Sequence, residues 1–131
     1  MTRVRAGRAP YRAGRDFEAR VRAALEASGW WVVRSAGSQG AVDLVAGREG
    51  VWWLVQCKRG GRGQLGPRAR WALWTAATRT WAVPVLAVAD RGATGPVAWW
   101  RLDAADPPGG RWTPVDPRTA WRPPAPDTGW R

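Results

Sequence analysis

The sequence predicts an α/β protein in which a mixed central β-sheet is flanked by helices, in the order αβββαββ. Three observations lead to this prediction. A helical period runs over residues 13–28, β-rich runs separated by turn residues follow as far as Lys58, and an Ala-rich helical segment then precedes an apolar run at 83–89. A run that is apolar at nearly every position is typical of a strand buried on both faces.

The first helix is predicted from the spacing of its apolar side chains. Phe17, Val21, Ala24 and Leu25 recur at i, i+4, i+7 and i+8, which places them on one face, and Gly29 ends the helix. Residues 1–12 are expected to form a flexible basic arm. Glu18 lies at the border of the apolar face, where it can pair with Arg22 at i+4 or serve a site.

Three strands are predicted between residues 30 and 58. Their sequences are WWVVRSA, AVDLVAG and VWWLVQCK, with a Gly-Ser loop at 37–40 before the second strand and a turn at 48–50 before the third. The two loop glycines allow a backbone to approach a phosphate closely. The second and third strands are therefore expected to pair as a hairpin.

Polar side chains meet at one end of this hairpin. Gln56 and Lys58 lie on the same face of the third strand because successive side chains alternate. Asp43 on the second strand can point into the same space. A carboxylate, an amide oxygen and an ammonium so arranged can hold a hard cation and hydrolyse a phosphodiester.

Lys58 is unusual in this composition. The chain contains 20 Arg and a single Lys, as expected if a biased base composition had turned most basic positions into Arg. A lone Lys can arise by chance. An ammonium is nevertheless a compact charge that an Arg cannot replace, and its place beside Gln56 favours a chemical requirement.

The net charge of +11 indicates a polyanionic partner. Residues 103–131 hold four Arg and four Asp, so the whole excess lies within residues 1–102. A basic domain with a basic arm favours nucleic acid. The alternative is a general Arg-rich bias. No membrane partner is expected, because the longest apolar run, 81–89, is interrupted by Pro84 and is too short to span a bilayer.

Two further absences narrow the chemistry. There is no His and one Cys, which excludes a His-assisted nucleophile and a zinc site of the usual ligand types. Oxygen ligands and Mg²⁺ or Mn²⁺ remain. The lone Cys57 permits no intrachain disulfide, so we expect an intracellular, cytoplasmic protein, in the host cytoplasm if a virus encodes it.

The C-terminal part is predicted from proline and tryptophan. A second helix begins at Pro67 and runs to about Trp81, and a last strand covers 96–102. The main domain is thus assigned to residues 13–102. The extension 103–131 holds seven of the eleven prolines and is expected to be an extended arm whose indoles pack on the domain or on a partner subunit. Trp99 and Trp100 are expected to contribute to the same surface.

The segment ASGWWVVRSAGSQGAVDLVAG, with Glu18 before it and QCK after it, closely resembles the archaeal-type Holliday junction resolvases of the PD-(D/E)xK nuclease superfamily. The resemblance covers roughly residues 12–90. A D…(E/Q)xK triplet is weak by itself, but RSAGS, VDLVAG and the helix glutamate make the pattern specific. The resemblance implies a restriction-endonuclease-like core.

The resemblance also implies a function. It implies a homodimer that binds branched DNA at four-way junctions and cuts two opposed strands, with Mg²⁺ as cofactor and Mn²⁺ as a possible substitute. The implied catalytic residues are Glu18, Ser38, Asp43, Gln56 and Lys58, of which Glu18, Asp43 and Gln56 would hold the metal.

The expected DNA contacts come from basic residues around this site. Arg34 matches the family residue that touches the DNA backbone, and the arm and the loop after Lys58 supply the others. The full set is Arg12, Arg15, Arg34, Arg59 and Arg62.

Two departures from the family pattern keep alternatives open. Ala19 stands where family members often carry Arg, and Gln56 replaces a carboxylate, which removes one negative charge from the site. A QxK variant also occurs in restriction nucleases of the Mrr type. The alternatives are therefore a restriction-type endonuclease acting on duplex DNA, and a junction-binding module whose catalytic site is impaired.

Overall fold

The computed structural model describes the backbone of residues 9–35, 40–62, 65–89 and 95–119, and the side chains from Gly14 onward within these ranges. Its elements in chain order are α1 (Ala9–Ala27), β1 (Trp31–Arg34), β2 (Leu44–Arg48), β3 (Val51–Lys58), α2 (Pro67–Thr80), β4 (Val83–Ala89), β5 (Val97–Ala104) and β6 (Arg111–Pro114).

The described strands form one six-stranded mixed sheet in the order β1-β2-β3-β4-β5-β6. Neighbours are antiparallel except β3 and β4, which are parallel. A parallel pair needs a crossover connection, and α2 supplies it between β3 and β4. The predicted mixed sheet flanked by helices is confirmed.

The two helices cover opposite faces of the sheet. On one face, α1 buries Phe17, Val21 and Leu25 against β3 residues that include Trp53 and Val55. On the other, α2 buries Leu73 and Ala77 against a cluster that includes Leu54 and Leu86. Residues 53, 54 and 55 alternate between the clusters, as the period of a strand requires. We call these the α1 face and the α2 face.

Tryptophans fill the centre of the α1 face. Trp53 is fully buried, and its ring centroid lies 4.5 Å from that of Trp30 and 6.2 Å from that of Trp99. The expectation that Trp99 belongs to an interaction surface is wrong, because its indole is part of this core. Trp100 points to the other face and is half-buried.

The chain beyond Leu102 belongs to the fold as far as the structure describes it. β5 continues to Ala104, and β6 pairs with it at the edge of the sheet. The prolines of this segment favour an irregular arm, but proline is tolerated in an edge strand and Pro114 is the last residue of β6. The sheet therefore extends past the boundary predicted at residue 102.

Residues 115–118, directly after β6, pack against the α1 face. Trp30 Nε1 donates a buried hydrogen bond of 2.8 Å to the carbonyl of Pro117. Arg48 Nη1 donates to the carbonyls of Pro117 and Arg118, both at 3.1 Å, and Val115 N donates to Trp99 O. Residues 115–118 thus pack against the core that α1 and β3 begin.

At the other end, α1 starts at Ala9, inside the segment predicted to be an arm. Pro10 is compatible with this start because the first helical turn has no intrahelical partners for its N–H groups. Within the described residues, no helix combines the length and the apolar character needed to cross a membrane.

Candidate active site

The alternation of side chains breaks at Asp43. Val42 packs with the cluster on the α2 face, whereas Leu44 packs with the cluster on the α1 face. In a regular strand, residues two apart share a face. Val42 and Leu44 do not, so the backbone departs from regular strand geometry at Asp43, which lies between them. Its N–H donates to Val55 O at 2.8 Å. Asp43 therefore lies directly before the paired part of β2, against β3.

The carboxylate of Asp43 replaces a missing strand partner. Pairing of β2 with β3 ends at Leu44 opposite Val55, so the N–H of Cys57 has no backbone acceptor on that side. Asp43 Oδ2 accepts it at 2.8 Å. Backbone N–H groups lie in the plane of a sheet, which places this carboxylate at the end of β2, beside the last residues of β3.

Gln56 and Lys58 occupy adjacent positions of β3 on the α2 face. They pair in register with Leu86 and Val88, which belong to the α2-face cluster. Gln56 Oε1 is buried and has no hydrogen-bond partner, although buried polar atoms are nearly always satisfied. This amide oxygen therefore has an unused capacity to accept a bond.

Glu18 enters the site from α1. Its side chain is only 16% exposed, and its Oε1 accepts from Arg34 Nε at 2.6 Å. The pairing with Arg22 that helix spacing permits does not occur, because Arg22 pairs with Glu26. Arg34 ends β1 next to Leu44, so the strand brings this cation to Glu18 and to the start of β2.

The charges at this end of the sheet act on one another. The pKa of Asp43 is raised above its ordinary value, mainly by burial; the Cys57 N–H lowers it in part, the nearby Glu18 raises it, and Lys58 and Arg34 lower it. Glu18, Arg34, Asp43 and Lys58 are therefore close enough to interact electrostatically. Of the predicted convergence of Asp43, Gln56 and Lys58, the described residues show that the charge of Lys58 reaches Asp43.

Cys57 is not a nucleophile in this setting. Burial raises its pKa well above the ordinary value, and the carboxylates of Asp43 and Glu18 raise it further. The thiol stays protonated near neutral pH, and reactive cysteines need the opposite environment.

The other predicted residues are only partly described. Ser38 lies outside the described residues, and so does the side chain of Arg12. Arg15 and Arg59 are exposed. Arg62 is also exposed, and its guanidinium lies 3.8 Å from the centroid of the Trp100 ring, a cation–π contact that sequence spacing could not have indicated.

The donor set fits a hard divalent cation. Asp43, Glu18 and the unpartnered oxygen of Gln56 are all oxygen donors, which Mg²⁺ prefers. Among the described residues there is no cluster of three or more His, Cys, Asp or Glu able to hold a metal. The amide of Gln56 would have to serve as the third donor.

Residues 9–66 match a family model described as archaeal Holliday junction resolvase (Hjc). The predicted resemblance is confirmed. The matched residues include Asp43 and the two charged residues that act on it, Glu18 and Lys58, and also Gln56.

Two individual proteins extend the comparison. The crossover junction endodeoxyribonuclease Hjc of Methanocaldococcus jannaschii is 50% identical over 48 residues, which cover 37% of this chain and 35% of that protein. The matched part thus spans about a third of the relative. The 1.6 Å structure of Archaeoglobus fulgidus Hjc, a Holliday junction resolvase, matches 66% of this chain and 70% of its own with a TM-score of 0.55 at 20% identity, which supports the fold.

We predict that Asp43→Asn stabilises the protein at neutral pH. The pKa of Asp43 is higher in the folded protein than the unfolded value of 3.8, so the folded state binds this proton more tightly. The contribution of Asp43 to wild-type stability should rise as pH falls through the folded pKa and level off below 3.8. Asn removes this penalty and can still accept from Cys57 N. Thermal unfolding at pH 7 should show a midpoint higher by a few degrees.

The control for this prediction is Asp116→Asn. Hydrogen bonds from Arg118 lower the pKa of Asp116, so its contribution to stability is present above 3.8 and disappears as pH falls through the folded pKa. Its midpoint at pH 7 should not rise. An Asp43→Asn midpoint at or below the wild-type value at pH 7 would contradict the prediction.

Proposed function

We propose that this chain is a structure-specific DNA endonuclease that resolves four-way (Holliday) junctions by metal-dependent hydrolysis of phosphodiester bonds. The observation that carries the proposal is that Asp43, held by the Cys57 N–H at the end of β3, feels the charges of both Glu18 and Lys58. The buried, unpartnered oxygen of Gln56 lies on the same strand, and all these residues are inside the segment that matches the resolvase family model. The M. jannaschii relative bears the name of a crossover junction endodeoxyribonuclease.

Asp43, Gln56 and Glu18 are the proposed ligands of Mg²⁺, for which Mn²⁺ can substitute. When bound, such a cation polarises a phosphoryl oxygen and lowers the pKa of a water molecule. The chain prepares this site by fixing Asp43 through the Cys57 N–H and Glu18 through Arg34. Side chains held in this way need little reorganisation when the ligand arrives.

Lys58 has a separate role in the proposal. It lies two residues beyond Gln56 and its charge reaches Asp43. An ammonium there can hold the scissile phosphate and stabilise the negative charge that develops on it during hydrolysis. It can also orient the attacking water. The guanidinium of an Arg is larger and planar and could not replace this compact charge. This requirement would account for a Lys at this position in an Arg-rich chain.

In the proposal, the protein binds DNA through contacts with the phosphate backbone of the DNA and not with the edges of its bases. Arg15, Arg34, Arg59 and Arg62 are exposed on the described surface, and Arg12 and Ser38 are retained as proposed contacts. Contacts of Arg with phosphates position a duplex without reading its sequence. Preference for a branched structure would then come from the spacing of two identical sites in a dimer.

The activity assay incubates the protein with a synthetic four-way junction and a linear duplex, each with Mg²⁺ or Mn²⁺. We expect paired cuts in opposed strands of the junction and little cutting of the duplex. Asp43→Asn and Lys58→Ala should lower the cleavage rate by about 100-fold or more while junction binding is kept. Glu26→Gln, on the exposed side of α1, is the matched control and should cut normally.

The other outcomes of this assay have clear meanings. Equal cutting of junction and linear duplex would favour the restriction-type alternative. Binding without product in either metal would favour a junction-binding module with an impaired site. Normal cleavage by Asp43→Asn or Lys58→Ala would remove those residues from the proposed mechanism.

The metal proposal predicts the effect of Gln56→Glu. The change keeps an oxygen donor at the position of the unpartnered Oε1 and adds a negative charge beside Asp43. Calorimetric titration should show tighter Mg²⁺ binding by about tenfold, whereas Gln56→Met should abolish most of it. Equal Mg²⁺ affinity in Gln56→Met and the wild type would exclude residue 56 as a ligand.

A homodimer is part of the same proposal. Two large apolar side chains, Trp71 and Trp81, are 45% and 62% exposed on α2 and just after it, and exposed aromatic groups are frequent at interfaces. Sedimentation at micromolar concentration should give the mass of a dimer. A monomer under these conditions, and also with junction DNA, would contradict this part of the proposal.

A further inference from the structure

A cavity of about 540 Å³ opens at the N-terminus of α2, apart from the proposed catalytic residues. Its walls come from three places: the loop after β3, the first turn of α2, and the turn before β6. The lining residues that matter here are Arg62, Gly66, Pro67, Arg70, Gly110 and Trp112. No lining residue is acidic.

Arg70 is a buried cation that has no counter-ion among the residues that the structure describes. Its side chain is 6% exposed, the one charged residue buried in the described part of the chain. Its Nε donates to Ala105 O at 2.9 Å, but no carboxylate pairs with it and neither Nη group has a hydrogen-bond partner among the described residues. A buried charge is costly unless it is paired. The cavity is where the missing anion could lie.

Gly110 holds Arg70 in this position. A Cβ at residue 110 would lie 2.6 Å from Arg70 Cδ and 3.0 Å from Trp112 Nε1, and the residue has a φ of +80°. Only glycine fits both the space and the conformation. The turn before β6 is therefore shaped around the Arg70 side chain, which lines the cavity.

The start of α2 adds positive charge to the same cavity. Gly66 at the N-cap has no side-chain cap, Pro67 opens the helix, and the first turn holds no acidic residue. The N–H groups of Arg68 and Ala69 therefore have no intrahelical acceptor. Free N–H groups and the helix dipole together favour an anion at such an end. Arg62 stands at the mouth, held over the Trp100 ring.

We propose that this cavity binds a phosphate group of a nucleic-acid strand, at a second site beyond the catalytic end of β3. The loop that carries Arg59 and Arg62 leads directly from Lys58 to α2, so a strand held at Lys58 can continue along it. The inference rests on the proposed function for the source of the phosphate. The turn at Gly110 lies outside the residues that match the resolvase family.

The first test measures thermal unfolding with inorganic phosphate against chloride at equal ionic strength. Saturating phosphate should raise the wild-type midpoint by about 5 °C. The shift should vanish in Arg70→Met and shrink in Arg62→Gln. Arg79→Gln, an exposed change in the last turn of α2, should keep it. If Arg70→Met does not fold, Arg62→Gln decides. Equal shifts in all variants would overturn the site.

The second test measures binding to a four-way junction without divalent cations, across a range of salt concentrations. Arg70→Met and Arg62→Gln should weaken binding and lower the slope of log affinity against log salt by about 1 each, as expected for one lost phosphate contact. Arg79→Gln should leave the slope unchanged.

The two tests separate the possible failures. Unchanged junction affinity in variants that lose the phosphate shift would mean a free phosphate or nucleotide as the ligand, and would overturn the assignment to a strand. If the wild type binds no junction, the proposed function fails, while the unfolding measurements still decide whether the cavity takes phosphate.

Discussion

One backbone N–H governs the geometry of the candidate site. Cys57 lies beyond the last residue of β3 that pairs with β2, and its N–H donates a hydrogen bond to the carboxylate of Asp43. Leaving a buried hydrogen-bond donor without an acceptor costs on the order of 1–3 kcal/mol of stability. This end of the sheet therefore favours a carboxylate that accepts from the Cys57 N–H. The bond fixes the acid at the place where Gln56 and Lys58 leave the sheet. Burial at this place raises the pKa of Asp43, and the hydrogen bond from Cys57 offsets part of that rise. Stability and function oppose each other at this position.

The same electrostatics give a reason for Gln56. Asp43 already feels burial and the charge of Glu18, both of which raise its pKa. A third carboxylate beside them would raise it further, because like charges disfavour ionisation. Gln56 supplies an amide oxygen on the neighbouring strand without that repulsion, but it attracts a cation less strongly than a carboxylate would. Arg34 and Lys58 balance the two remaining carboxylates.

Much of this arrangement follows from local sequence patterns, and the rest depends on distant contacts. The period of α1, the hairpin of β2 and β3, and the shared face of Gln56 and Lys58 are consequences of spacing, and all were predictable. The partner of Glu18 was not, because helix spacing indicates Arg22 equally well and only β1 brings Arg34 into reach. The burial of Arg70 depends on Gly110, which is far away in the sequence. The strand β6 was missed because prolines surround it, and edge pairing tolerates them.

The carbonyl of Pro117 accepts hydrogen bonds from both Trp30 and Arg48, two residues within the part of the chain that matches the resolvase family. A fragment ending after α2 would keep every proposed catalytic group and yet leave an indole N–H and a guanidinium without their acceptor. Any attempt to graft the resolvase-like segment onto another protein must therefore carry this carbonyl along. This one oxygen atom, with its two donors, thus adds to the β3–β4 pairing that links the resolvase-like segment to the strands after it.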